Sequence, residues 1–305
     1  MSLIVPASRQ HTVSQIVLRQ FTVGSVMTLH DAKQQIFLSK GPRAGFHIPF
    51  DQHDPMGSEE LWGRTETRIP KMYAALGARR EVNTPTVEAI VRDVLALHWA
   101  RSAAMRLAHE HLTEQVSQRS MAELANAPEL LRRAMLKSTG LHPFGPGALE
   151  WFNRDVHGRV VRENREAWWS ERNAHHLAEA RRIMDQWPLQ FGYAPLGSDL
   201  IISDAPVVTR KPGHDGCGPH QGVALGEATE IVMPLSPTVL VGMGPEPKTL
   251  ALTPESVQRF NEYQIRARVR WLGCRPSGTA DRTLRATLPV RRGRPPATPK
   301  SADSF

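Results

Sequence analysis

His11, Gln15 and Arg19 recur at four-residue spacing within QHTVSQIVLRQF, residues 10–21. On a helix that spacing stacks side chains on one face. An imidazole, a carboxamide and a guanidinium set together can move a proton, orient it and hold an anion. Further along, charges interrupt two apolar stripes. Trp62, Glu66, Ile69, Tyr73 and Leu76 step by four and three, as do Val87, Val91, Val94, His98, Arg101 and Met105. A charge facing a core is costly unless it is paired and hydrogen-bonded. Glu66, His98 and Arg101 therefore mark either an ion pair that fixes two helices or a cleft in which Arg101 anchors an anionic ligand. Asp204, in LIISDAP at residues 200–206, follows an apolar run and precedes Pro206. It stands at a strand end, as the acceptor of an Asx-turn or as a group that the sheet holds out rigidly.

His11, Gln15, Arg19, Glu66, Arg101 and Asp204 are the candidate catalytic set, with His98 beside them as a binding residue. Such a set supports metal-assisted phosphodiester cleavage: carboxylates hold a divalent cation, arginine stabilises charge on phosphate, and histidine moves the proton. The same groups bind a nucleotide or phosphate equally well without chemistry. Other patterns carry less. His214, Cys217 and His220 fit no zinc spacing and lack a fourth ligand. The two histidines of His109-Glu110-His111 fall on divergent helix faces. Neither G-x-x-x-x-G-K-[ST] nor G-x-S-x-G occurs.

The elements that position these residues read as an α+β fold. A short N-terminal helix precedes a hairpin in SVMTLHDAKQQIFLSK, turning at Asp31-Ala32-Lys33. A Gly/Pro/Asp loop follows, and Ser58 caps a helix carrying Glu59 and Glu60 in its first turn. Thr84-Pro85 opens a second helix running to about Gln118. Further helices are expected near Pro128 to Lys137 and from about Arg162 to Gln186. LQFGYAP, DLIISDAPVV, ATEIVMPLSP and TVLVGM then have the punctuation of antiparallel or mixed strands. Thr253-Pro254 starts a final helix ending at Gly273. The expectation is one α+β domain over residues 1–275, with a helix-rich middle of about 55–186, a strand-rich stretch at 189–245 and a last helix at 253–273. A basic disordered tail is expected over 276–305.

Composition narrows the class. The chain has 305 residues, 40% hydrophobic and 22% charged, which suits a globular protein with a substantial core. No window holds 18 uninterrupted apolar residues, and MSLIVPASRQ lacks the form of a secretory signal. Cys217 and Cys274 are too few for a disulfide framework, so a cytoplasmic location is expected. Of the net charge of +8, +5 falls from Arg275 onward, which leaves the body only weakly basic. Within that tail Arg292-Gly293-Arg294-Pro295 resembles an AT-hook, whose extended Arg-Gly-Arg enters a narrow A·T minor groove. A solvated, nonspecific tail is the competing reading.

His11 to Phe21, as H-x-V-x-Q-x-x-L-R-x-F, resembles the opening motif of the bacterial domain-of-unknown-function 4238 family. The likeness continues in order: the hairpin around Asp31, Glu59 to Glu66, Arg101 before a small polar residue, Ser203-Asp204-Ala205-Pro206-Val207, Met233-Pro234-Leu235-Ser236-Pro237, and Asn261. It covers about residues 10 to 275. The family usually carries proline where this chain has Ser14, a residue able to cap the helix. The resemblance implies the fold and these site residues, and no reaction. Two functions follow. One is a hydrolase acting on a phosphate-containing substrate such as nucleic acid through a buried His/Glu/Arg/Asp cluster. The other is a non-catalytic DNA- or ligand-binding regulatory protein whose cluster is structural and whose Arg292 and Arg294 contact DNA.

Overall fold

The computed structural model describes residues 9–49, 58–77, 84–140, 172–214, 216–217 and 221–290. The N-terminal segment alternates short elements: β1 (Arg9–His11), α1 (Gln15–Leu18), β2 (Met27–Asp31), β3 (Ile36–Lys40) and β4 (His47–Pro49). The β2–β3 turn forms where expected, because Asp31 Oδ1 accepts the Lys33 and Gln34 amides at 2.9 and 3.1 Å. Helices α2 (Ser58–Glu66), α3 (Ile69–Gly77), α4 (Pro85–Ala100), α5 (Ala103–Ala125) and α6 (Pro128–Thr139) follow. Residues 172–184 are also helical, within the expected 162–186; residues 162–171 lie outside the described chain.

The C-terminal half supplies β5 (Leu189–Tyr193), β6 (Ile202–Ser203), β7 (Val208–Arg210), β8 (Glu230–Ser236), β9 (Val239–Met243) and β10 (Lys248–Ala251). Helix Pro254–Ala267, strand β11 (Trp271–Cys274) and helix Thr279–Thr287 complete it. A five-stranded sheet runs β10-β5-β9-β8-β7, antiparallel except for the parallel β10–β5 pair. A four-stranded antiparallel sheet runs β3-β2-β11-β6, and β1 pairs with β4. The α+β class therefore holds. The main core joins Val13, Val17 and Phe21 to Ile69 and Met72 of α3, Val91 and Val94 of α4, and Met233 and Val241 of the larger sheet. Among the described residues, no helix is long and apolar enough to cross a membrane.

Several boundaries differ from the sequence expectation. The helix from Thr84 stops at Arg101, whose φ and ψ are −94° and 5°. Ser102 Oγ then accepts the Met105 amide at 3.1 Å, and the Ala103 amide donates to the Asp204 carbonyl at 3.0 Å, so a new helix starts in a new direction. The Trp62–Leu76 stripe likewise spans two helices, α2 and α3. The helix from Thr253 ends at Ala267, and residues 271–274 form β11 instead. Beyond Pro276, where the tail was expected, Thr279–Thr287 is a helix that buries Ala280 and Leu284 against Leu272 and Cys274.

Candidate functional site

The segment from His11 to Gln15 is tied to both flanking helices. Ser14 occupies the position before α1, yet its hydroxyl does not cap the helix. It donates to Glu66 Oε1 at 2.7 Å and accepts from Arg101 Nη2 at 2.6 Å. Arg101 Nη1 lies 2.8 Å from the same carboxylate oxygen, which closes a triangle joining α1, α2 and the end of α4. The Arg101 side chain is 7% exposed and that of Glu66 33%, so the pair runs from the interior to the surface.

His98 lies one turn deeper and is fully buried. Its Nδ1 donates to the Val94 carbonyl at 2.7 Å, and its Nε2 accepts the Ser14 amide at 3.1 Å. Both contacts require the neutral ring. Burial, reinforced by Arg101, pushes its pKa down to about 3.

His11 lies at the accessible edge of this network. The Gln15 amide nitrogen lies 3.1 Å from its Nδ1. In the β1–β4 ladder His11 stands directly opposite His47, and the ring centroids are 6.4 Å apart, edge to face. Burial, His47 and Arg101, in that order, hold the His11 pKa below its usual value, against the Phe46 carbonyl and Glu66. A neutral imidazole at neutral pH is the form that accepts a proton. His47 in turn lies 6.0 Å from the Trp271 ring, centroid to centroid.

Asp204 is 2% exposed, and its carboxylate accepts the amides of Val269 and Arg270 at 2.9 Å each and of Trp271 at 3.1 Å. It forms a long-range clamp on the entry to β11, not a local Asx-turn. Burial outweighs those donors and raises its pKa to about 6. The rest of SDAP is held by the Pro254–Ala267 helix. Gln264 Oε1 accepts the Ser203 amide and hydroxyl at 2.9 and 2.8 Å, and its amide donates to the Pro206 carbonyl at 2.8 Å. Asn261 likewise accepts the Ile201 amide and donates to the Asp199 carbonyl.

Of the predicted residues, His11, Gln15, Glu66, His98 and Arg101 meet in this one network. Arg19 follows α1 with its side chain exposed, outside the network. Asp204 belongs to a neighbouring cluster that reaches His47 through Trp271. Arg292 and Arg294 lie outside the described residues. His47, Ser14 and Trp271 were not singled out in the sequence. Ser14 could have been, as the polar residue between His11 and Gln15 in the opening motif; His47 sits in a loop without periodicity.

The two carboxylates suggested as cation ligands are engaged separately, Glu66 by Arg101 and Ser14 and Asp204 by three amides. Among the described residues no three His, Cys, Asp or Glu side chains gather as a metal site. Two cavities occur elsewhere. One of about 240 Å³ is lined by Trp99, Ser102, Met105, Thr209 and Cys217. Another of about 560 Å³ lies between helices Pro254–Ala267 and Thr279–Thr287. None of the six candidate catalytic residues lines either one.

A family model described as Protein of unknown function (DUF4238) matches residues 9–273. No curated protein and no solved structure matches the chain.

Proposed function

We propose that this chain, which belongs to the family Protein of unknown function (DUF4238), is a hydrolase acting on a phosphate-containing substrate such as nucleic acid. The observation that carries the reading is the half-buried His11–His47 pair, set edge to face beside the Glu66–Arg101 ion pair. One imidazole, neutral, takes the proton of an attacking water; the other, protonated, returns a proton to the leaving oxygen. Gln15 orients the His11 ring. Arg101 adds positive potential from within and holds Ser14 and Glu66 in place, while exposed Arg19 is available to phosphate at the rim.

The test is turnover of bis(p-nitrophenyl) phosphate and of short single-stranded DNA and RNA, with and without Mg²⁺. His11→Ala and His47→Ala should each lower kcat at least a hundredfold with an unchanged melting temperature. Folded variants that retain full turnover, or a wild-type chain that cleaves none of these substrates, would remove the basis of the reading.

A second reading has its own support. Arg101 and Asp204 are occupied by internal partners, as expected of a binding or regulatory protein with a structural cluster. In that case DNA binding is salt-dependent and resides in the tail that contains Arg292 and Arg294. Full binding after deletion of residues 291–305 would exclude it.

A further inference from the structure

Trp271 is 4% exposed, and its indole nitrogen is buried with no hydrogen-bond partner among the described residues. Leaving such a donor unpaired costs about 1–3 kcal/mol, and few buried polar groups are left so. The ring is also pinned on several sides. The Asp204 carboxylate takes its backbone amide, and the Trp271 carbonyl accepts the Asp204 amide at 3.1 Å. The Arg270 guanidinium stands 4.7 Å from the ring centroid, itself fixed by Asp31 through bonds of 2.6 and 3.1 Å. Gly45 leaves the space the indole needs, since a Cβ there would lie 3.2 Å from Trp271 Cε3. On a further side stands His47, one ring away from His11.

An indole N–H only donates, so its complement is an acceptor oxygen. A cation close to the ring biases that acceptor toward negative charge. A rigid donor beside a proton-transfer pair meets the requirement for preorganised stabilisation of developing charge. We infer that the Trp271 indole N–H is a donor for an oxygen of the substrate's phosphoryl group, which makes Trp271 a substrate-binding residue of the His11–His47 site. This inference rests on the phosphate-hydrolase reading and assigns the clamp at Asp204 a purpose: it sets the height of the indole.

The experiment is a titration of the full-length, ¹⁵N-labelled protein with inorganic phosphate. Indole and imidazole ¹H–¹⁵N signals are followed, with Trp271 assigned sequentially in the wild-type chain. The expected result is a downfield shift of the Trp271 indole proton that saturates together with changes at His11 and His47. Trp271→Phe, which keeps the packing on Gly45 and His47, should retain the melting temperature or raise it and weaken phosphate binding at least tenfold. If the imidazoles respond and the indole does not, this inference falls while the hydrolase reading stands. If neither responds, both fall. If the indole shifts without the imidazoles, phosphate binds elsewhere and the inference is again overturned. Should Trp271→Phe fail to fold, the wild-type titration decides alone.

Discussion

At the scale of single residues, the buried groups set how the protein responds to pH. His98 titrates near 3 when folded and near 6.5 when unfolded, so its contribution is present above about pH 6.5 and is lost as pH falls toward 3. Asp204 works in the opposite sense. Its folded pKa of about 6 exceeds the unfolded value of 3.8, so its contribution is present below pH 3.8 and is lost as pH rises to 6. Between about pH 4 and 6 the two slopes oppose each other. Urea denaturation across this range should give a flattened stability profile for the wild type. Asp204→Asn, which removes one slope, should give stability that falls steadily from about pH 6.5 downward. Identical profiles for the two proteins would contradict the assignment. Arg101→Ala, in turn, removes the partner of Glu66 and Ser14 and should cost about 2–4 kcal/mol of stability, read from the same curves.

At the scale of elements, the entry to β11 organises the site. Gly273 makes this possible: a Cβ there would lie 2.4 Å from Met27 Cε and 2.9 Å from Phe46 Cζ. The methionine can swing away, but Phe46 is buried, has φ of 59° and directly precedes His47. Gly273→Ala should therefore destabilise the protein by about 1–3 kcal/mol and shift the His47 imidazole resonances. A variant with wild-type stability and an unmoved His47 would show that the contact is slack.

The same elements show what was legible in advance. The β2–β3 hairpin was readable because its alternation and its Asp31 turn are local, and α4 was readable from its Thr84-Pro85 start. The break at Arg101 was not, because neither glycine nor proline marks it. It is set by the Asp204 carbonyl, about a hundred residues away, and by Ser102, whose capping role resembles an ordinary helical serine until the chain turns. Strand β11 was read as helix because Val269 and Trp271 are also compatible with one, and the partner strand that decides between the two, β2, lies near the N-terminus. For the site, Glu66, His98 and Arg101 stood out because a polar group on an apolar stripe needs a reason. His47 and Trp271 did not, since their importance comes from the cross-strand and ring contacts that folding creates.

At the scale of the whole molecule, the ordered boundary extends beyond Pro276. Helix Thr279–Thr287 covers Leu272 and Cys274, so a truncation at 276 should destabilise the four-stranded sheet, whereas deletion of 291–305 should leave the melting temperature unchanged. That shorter deletion removes Arg291, Arg292, Arg294 and Lys300. If the tail contacts DNA, it should reduce the salt dependence of binding by roughly three to four phosphate contacts, measured as the slope of log K against log salt. An unchanged slope would place any DNA contact on the body.

The pairing of β2 with β11 has a consequence for how the protein is made. Asp31 and Arg270 are separated by 239 positions, and β2 gains β11 as its inner neighbour only after nearly the whole chain exists. At about 5–20 residues per second, the finished hairpin waits on the order of ten to fifty seconds for that neighbour. During this interval one flank of β2 lacks its strand, and Asp31 lacks its arginine. Ribosome-stalled chains ending before residue 270 should thus be cut by protease within the hairpin region, while chains extended past residue 290 with room to emerge should resist. The last quarter of the sequence acts as a lock on the first segment, and a premature stop there would expose the hairpin as a sticky edge to every neighbouring nascent chain.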